Sequence, residues 1–363
     1  MGTRRVTGTA EARSAQSLAE KTLRVLRVLR ASAVTSVALA LFGAGCSLLP
    51  PTTASGEAGN VIALGPVAYV SMGEAGFAVV DAPGGRTVRV VAPPAGGESV
   101  DDLAIADGLL FALDARAPGH LFVFSLEDPE DPRPVGPPVE VPVEPFSGVS
   151  AAKGRVVVSG GTKSLTVLSY DANGGLGEAR TALDLGRGQP DVLLSPDGEL
   201  AYVSTHVSLV RATYGVTVLK LAPPPAASAA LGQVELDGAG FTPGAARPAN
   251  FALEAALRGP TLFVAHGAGL GVLDVSAPAD PRLVALLPLP VHAVNVDVRG
   301  SRAAVVGSVP SPTLVVVDVT DPARPRIERT VALAEGSRPT GVALTDAHIV
   351  VAGGPAGAIV LAR

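Results

Sequence analysis

From residue 61 onward the chain is written in short apolar runs interrupted at regular intervals by turn residues. Asp191-Val-Leu-Leu-Ser-Pro-Asp-Gly198 is followed by Glu199-Leu-Ala-Tyr-Val-Ser204, and a second run of the same kind is Leu262-Phe-Val-Ala265. Runs of this length, rich in β-branched residues and bounded by Gly, Pro and Asp, predict strands rather than helices. Pro-Asp-Gly between two runs predicts a tight hairpin, because glycine supplies the positive φ that the turn needs. Equivalent turn residues are Gly65, Gly108, Gly154, Gly198, Gly259 and Gly300, with Asp346-Ala347 replacing the glycine in the last copy. Successive gaps are 43, 46, 44, 61, 41 and 46 residues, so six gaps join seven units.

A longer phrase recurs inside these units. Gly271-Val-Leu-Asp-Val-Ser-Ala-Pro-Ala-Asp-Pro-Arg282 and Val315-Val-Val-Asp-Val-Thr-Asp-Pro-Ala-Arg-Pro-Arg326 stand 44 residues apart. The offset aligns Asp274 with Asp318, Pro278 with Pro322, Pro281 with Pro325 and Arg282 with Arg326. A weaker copy, Leu121 to Arg133, keeps both prolines and the arginine but has Ser125 for the aspartate. Each copy predicts a strand stopped by a side chain that hydrogen-bonds nearby backbone, then by prolines that cannot donate to a ladder. A further strand follows, Leu283 to Leu287 or Ile327 to Leu333, and Pro137, Pro138, Pro288 and Pro290 in or against such strands place them at a sheet edge. Four strands per unit and seven units predict an all-β, seven-bladed β-propeller of four-stranded antiparallel blades over residues 61–363, at about 43 residues per blade. The chain stops after the third strand of the last unit, so that blade is expected to be three-stranded or to borrow a strand from the segment before Val61. The 61-residue gap marks an insertion near 237–250.

The first 45 residues read differently. Arg24, Arg27 and Arg30 precede an uncharged stretch from Ala31 to Leu49 that holds the only cysteine, Cys46. A basic start, an apolar middle and small residues before a processing point predict a secretory signal, residues 1–45, with a start codon possible near Val25 or Val28. Gly43-Ala-Gly-Cys46 resembles the lipobox of bacterial lipoproteins, although Gly43 stands where that family usually has leucine. The resemblance implies lipid attachment at Cys46, a lipid-anchored tether over 46–60, and an exported protein on the periplasmic or cell-surface side of the envelope, in the outer membrane for instance. An ordinary signal peptide with a stray cysteine, or an uncleaved membrane helix, are the competing readings of the same stretch.

Charge narrows the partners. Residues 1–45 hold seven basic and two acidic side chains against a whole-chain net charge of −5, which leaves −10 on residues 46–363. Such a surface repels phosphate backbones, so nucleic acid is excluded as a partner. Tryptophan is absent, which removes the WD signature and the docking tryptophans of quinoprotein propellers.

The chemistry at hand is sparse. No nucleophile elbow or phosphate loop occurs, and none of His120, His206, His266, His292 and His348 forms a local metal motif. Two sets of residues are brought to one face by the repeat. The residues leading into each inner strand form a channel ring of Asp101, Asp102, Phe146, Gln189, Asp191, Arg247, Asn250, His292 and Arg338, suited to a small polar ligand or a protein loop, or to solvated turns alone. His206, His266 and His292 fall in loops of neighbouring blades and are the candidate ligands for a divalent metal.

Leu262-Phe-Val-Ala265 together with Leu273-Asp-Val-Ser276 and its Pro-x-x-Pro-Arg turn resembles the LVIVD repeat of exported bacterial and archaeal propellers, closest over residues 260–333 and fair over 100–135. Ser195-Pro-Asp-Gly198 with Tyr202-Val203 is similar to the related YVTN repeat. Blades one and three depart most, with Asp81-Ala-Pro-Gly-Gly85 and Tyr170-Asp-Ala-Asn-Gly-Gly175 at the turn. The resemblance implies an envelope location and names no ligand. Two functions follow as expectations: a monomeric, membrane-anchored, non-catalytic scaffold that binds an envelope protein or small polar ligand, or an exported metal-assisted, lactonase-like hydrolase using the three histidines with Asp191.

Overall fold

The computed structural model describes residues 57–143, 147–159, 164–184, 191–208, 213–222, 228–236, 254–266 and 269–363, and the backbone of 46–48. Among these residues all regular structure is β, arranged as seven antiparallel sheets, each led by an inner strand. The inner strands are Val61–Leu64, Asp102–Ala106, Val149–Ala152, Val192–Leu194, Ala255–Arg258, Asn295–Arg299 and Gly341–Leu344. Each is joined to the next strand of its blade by the expected turn, and all six turn glycines have positive φ.

The seventh blade takes three strands from the end of the chain, Gly341–Leu344, His348–Ala352 and Ala358–Ala362. Cys46–Leu48 runs antiparallel along its outer edge, with Cys46 opposite Leu361 and Leu48 opposite Ile359. Nearer blade one, Ala58 donates to the carbonyl of Gly354, and the Thr340 hydroxyl donates to that of Gly59 at 2.5 Å. The insertion near 237–250 lies outside the described residues.

The strand assignments also explain the prolines. In blade two Arg133–Pro134 and Val139–Val141 pair separately with Gly119–Ser125, leaving Pro137 and Pro138 in the break between them. Pro288 ends the outer strand Arg282–Pro288. In blades one, three, four, five and six the pairing of third and outer strands slips at one point, for example between Val316 and Val317. Such a bulge bends the outer strand and adds twist, as a strand at the wide rim of a wedge requires.

The repeated phrase does what its residues predict. Asp274 Oδ1 accepts the amide of Ser276 at 2.9 Å, and Asp318 Oδ1 accepts that of Thr320 at 2.9 Å. In blade two Ser125 Oγ takes the same role, accepting the amide of Glu127 at 3.3 Å. The arginine that closes one copy pairs with its own turn, Arg282 on Asp280.

Seven hydrophobic clusters lie between the seven pairs of neighbouring blades. Alternation along a strand divides its side chains between two of them: Val67 and Tyr69 face blade two, whereas Ala68 and Val70 face blade seven. Both faces of the middle strands are therefore covered, which is why they read as continuous apolar runs rather than alternating ones. The larger aromatics concentrate between blades one and two, where Phe77 meets Phe124 edge to face at 5.1 Å.

Two kinds of glycine should respond differently to a methyl group. A Cβ on Gly269 would lie 2.0 Å from the Leu287 carbonyl oxygen, because the outer strand closes on the third strand there. Gly65 has open space around it but a φ of 59°. Gly65→Ala is expected to cost about 1 kcal/mol, and Gly269→Ala about 2 kcal/mol or more. Urea denaturation of the two variants checks this, and equal costs would show that the third strand has room to move.

Candidate functional site

The inner strands of a propeller radiate from an axis, so adjacent inner strands do not pair with each other. Their amides near the axis need other acceptors. The chain supplies them with polar side chains at the start of each inner strand. Asn60 Nδ2 donates to Asp102 Oδ1, and Asp102 Oδ2 accepts the amide of Val149 at 2.7 Å. Ser150 Oγ accepts the amide of Leu194 at 3.0 Å, and Asp191 accepts that of Ala255. Asn295 Oδ1 accepts the amide of Val342 at 3.2 Å, and Asp297 Oδ2 that of Leu344 at 2.6 Å. Between blades five and six the link lies at the opposite face, where Arg258 donates to the carbonyls of Gly300 and Val319 at 2.5 and 2.8 Å. With Thr340 on Gly59, every joint of the ring carries a side-chain hydrogen bond, and at four of them the side chain accepts an amide.

Three carboxyl groups of this set interact through space: Asp102 of blade two, Asp191 of blade four and Glu254 of blade five. Asp191 is buried, and Asp102 and Glu254 are half-buried. Burial pushes the Asp102 carboxyl up to about 6, against the pull of the Val149, Asn60 and Leu103 hydrogen bonds. Burial and then the charge of Asp102 push Asp191 up to about 7. Glu254 is raised well above the usual carboxylate range by burial, Asp191 and Asp102, in that order. Asp191 and Glu254 are hydrogen-bonded to one another, an arrangement that requires a proton between them. Asp297 is also raised by burial and stands apart from the trio.

The neighbouring Asp101 and Asp102 do not form a pair. Successive residues of an extended chain point to opposite sides. Asp102 meets the channel, whereas Asp101 Oδ2 accepts Ser99 Oγ at 2.6 Å and the Ala115 amide at 2.9 Å. The Ser99 amide donates to buried Asp114 at 3.3 Å, so Asp101 belongs to a network that fixes the loops of blade two. Arg338 is exposed and ion-paired with Glu57, joining blade seven to the segment before blade one. Phe146, Gln189, Arg247 and Asn250 lie outside the described residues.

Of the histidine trio, His266 and His292 approach each other. Burial and then His292 lower the pKa of His266, which is 4% exposed, and burial lowers that of His292. The Nδ1 atoms of both are buried without a hydrogen-bond partner. The side chain of His206 lies outside the described residues. Among the described residues no three His, Cys, Asp or Glu side chains gather as ligands of one metal ion.

Asn60, Ser150, Glu254, Asn295 and Asp297 complete the ring and are not among the residues that motif reading singles out. A positional signal does exist: Asn60, Glu254 and Asn295 each stand five residues before their turn glycine. The residue type varies from copy to copy, since any acceptor serves, and this hides the rule from motif searches.

The raised carboxyl groups destabilise the fold when charged. An Asp191 at about 7 in the fold and near ~3.9 when unfolded binds more protons folded. Its penalty is therefore absent below about pH 4, grows as pH rises, and is complete above about pH 7. His266 and His292, neutral in the fold, act in the opposite direction below about pH 6.5, so the wild-type profile mixes the two. Asp191→Asn keeps the acceptor and removes the charge. It is expected to raise Tm by a few degrees near pH 8, roughly 1–3 kcal/mol, with the gain disappearing near pH 4.5. Thermal unfolding of both proteins at both pH values reads this out; a loss of Tm near pH 8 would contradict the charged cluster.

Known proteins resemble the chain at two levels. The LVIVD repeat family matches residues 55–82 and 254–286. The first match lies in blade one, where the proline turn departs from the phrase but the strand Phe77-Ala-Val-Val-Asp81 retains it. No curated protein matches the chain. Among solved structures, the crystal structure of RRP9 WD40 repeats aligns with a TM-score of 0.62 at 11% identity, over 86% of this chain and 96% of that one. The structure of U3-55K aligns with a TM-score of 0.61 at 10% identity, over 86% and 98%. Likeness at this identity is one of fold, reached here without a single tryptophan. The chain carries LVIVD repeats on a seven-bladed propeller.

Proposed function

We propose that the protein is an exported lipoprotein, held to a membrane of the cell envelope through Cys46, whose propeller is a non-catalytic scaffold that binds an envelope protein or small polar ligand through its loops. One observation carries the non-catalytic part. The side chains best suited to acid or base chemistry, Asp102 and Asp191, hold the amides of the following blade, and Asp101 holds the Ala115 amide and Ser99. Carboxyl groups held by those bonds are positioned for closing the ring, which favours a structural over a catalytic role. Apart from the Arg338–Glu57 pair, the loops on the upper face, where the inner strands begin, carry fewer of these contacts and are the surface left for recognition.

The lipoprotein part is supported by the basic and apolar leader ending in Gly-Ala-Gly-Cys, and by the absence of any other thiol in the chain. The hydrolase reading retains one support, the two unpartnered Nδ1 atoms of His266 and His292 in adjacent blades. Stoichiometric zinc or another divalent ion in the purified protein, lost in His266→Ala, would favour it.

Three variants test the proposal. Cys46→Ala is expected to abolish incorporation of labelled palmitate and move the protein from the membrane to the soluble fraction, with Tm changed by less than about 2 °C. In crosslinking and pull-down from envelope extracts, His292→Ala combined with Arg338→Glu on the upper face should lose the bound partner. Ala347→Glu, at the exposed turn on the lower face, should keep it. A wild-type protein that captures nothing, or equal loss in both variants, would contradict recognition through the upper face.

A further inference from the structure

Resting on the reading of Cys46 as the acylated residue, we infer that the propeller sits on the bilayer by the rim of its seventh blade instead of swinging on a tether. The anchor residue is part of the fold. Cys46, Ser47 and Leu48 are registered against Leu361, Val360 and Ile359 of the blade's third strand. Paired strands are about 4.8 Å apart, so the backbone of the residue that would carry the lipid lies one strand spacing from the third strand of blade seven. Acyl chains enter the hydrocarbon within a few ångströms of their attachment, so the bilayer surface must meet the molecule there. A tether over 46–60 would leave orientation free, and three ladder residues at its start remove that freedom.

The distribution of charge favours the same seating. Residues 101–150, which contain blade two, carry ten acidic and two basic side chains. Residues 295–363, blades six and seven, carry seven basic and six acidic ones. Several of these arginines cluster near the end of the chain: Arg329 donates to the Ala362 carbonyl at 2.5 Å, and Arg363 donates to the carbonyls of Thr345 and Arg299. Anionic headgroups repel the first sector and tolerate the second, within a screening length of about 8 Å at physiological salt. With blade seven on the surface, blades three and four are the farthest of the seven and the axis of the channel lies along the membrane. Both mouths of the channel then stay open to partners.

The test uses the acylated protein, in which Cys46 is blocked and any introduced cysteine is the single free thiol. Ala362→Cys lies at the end of the last strand of blade seven, and Ala172→Cys in the turn after the third strand of blade three; both positions are exposed. Each is labelled with an environment-sensitive fluorophore and incorporated into vesicles of phosphatidylethanolamine and phosphatidylglycerol carrying a headgroup spin-label quencher. Quenching at residue 362 is expected to exceed that at residue 172 by about threefold or more, the two lying on opposite sides of a ring wider than the screening length. Inserting about ten Gly-Ser residues between Cys46 and Ser47 should abolish the difference while leaving acylation intact. Equal quenching in the uninserted protein, or a difference that survives the insertion, overturns the seating. Intact mass separates the two readings, because a protein without the acyl mass refutes the lipoprotein assignment itself, whereas an acylated protein with equal quenching refutes only the orientation.

Discussion

Everything in this structure depends on how backbone amides are satisfied near the axis of the ring. A sheet satisfies its own strands, but seven wedge-shaped sheets around a channel leave inner edges that face neither water in bulk nor another ladder. At four of the seven joints the chain answers with a polar side chain near the head of an inner strand that accepts an amide of the next blade. Asp102 on Val149, Ser150 on Leu194, Asp191 on Ala255 and Asp297 on Leu344 are four forms of that bond. The seven hydrophobic clusters lie farther out and contribute most of the stability, yet they are non-directional. The polar ring supplies the direction, by fixing which residue of one blade faces which residue of the next.

How far the sequence foretold this differs between the rim and the axis. At the rim each signal had a single physical cause that leaves a residue-specific trace. Positive φ at the hairpins demands glycine, so Gly65, Gly108, Gly154, Gly198, Gly259 and Gly300 are readable by counting. The stop after the third strand demands a side-chain acceptor and a residue without an amide, so Asp274 and Asp318 with their prolines are readable as a phrase. At the axis the requirement is for any acceptor of suitable length, and Asp, Ser and Asn all meet it. No consensus accumulates, and Asn60, Ser150 and Glu254 escape notice. The adjacent pair Asp101-Asp102 draws attention by composition, but alternation along the strand sends the two carboxylates to unrelated networks.

The axial cluster also shows why perturbed carboxyl groups are a weak guide to catalysis in a propeller. Asp102, Asp191 and Glu254 have the properties sought in an active site: burial, mutual repulsion and a shared proton. Here geometry supplies those properties. Asp102, Asp191 and Glu254 come from the heads of three inner strands that the ring brings together, whereas Asp297 of blade six stands apart. Asp102 and Asp191 are held there by the amides of Val149 and Ala255 in the next blades, whereas the Glu254 carboxyl is hydrogen-bonded to Asp191.

That distinction directs attention to groups whose positions the fold does not explain. His266 and His292 satisfy no amide of a neighbouring blade through their imidazoles, and their buried Nδ1 atoms lack partners. A buried unpaired ring nitrogen costs about 1–3 kcal/mol, which a larger apolar side chain at the same place would avoid. Amide bonding therefore accounts for Asp102 and Asp191 and does not account for the histidines, although carboxylates look the more reactive set. His120 and His348 leave buried Nδ1 atoms without partners as well, so what sets His266 and His292 apart is that they approach each other from adjacent blades.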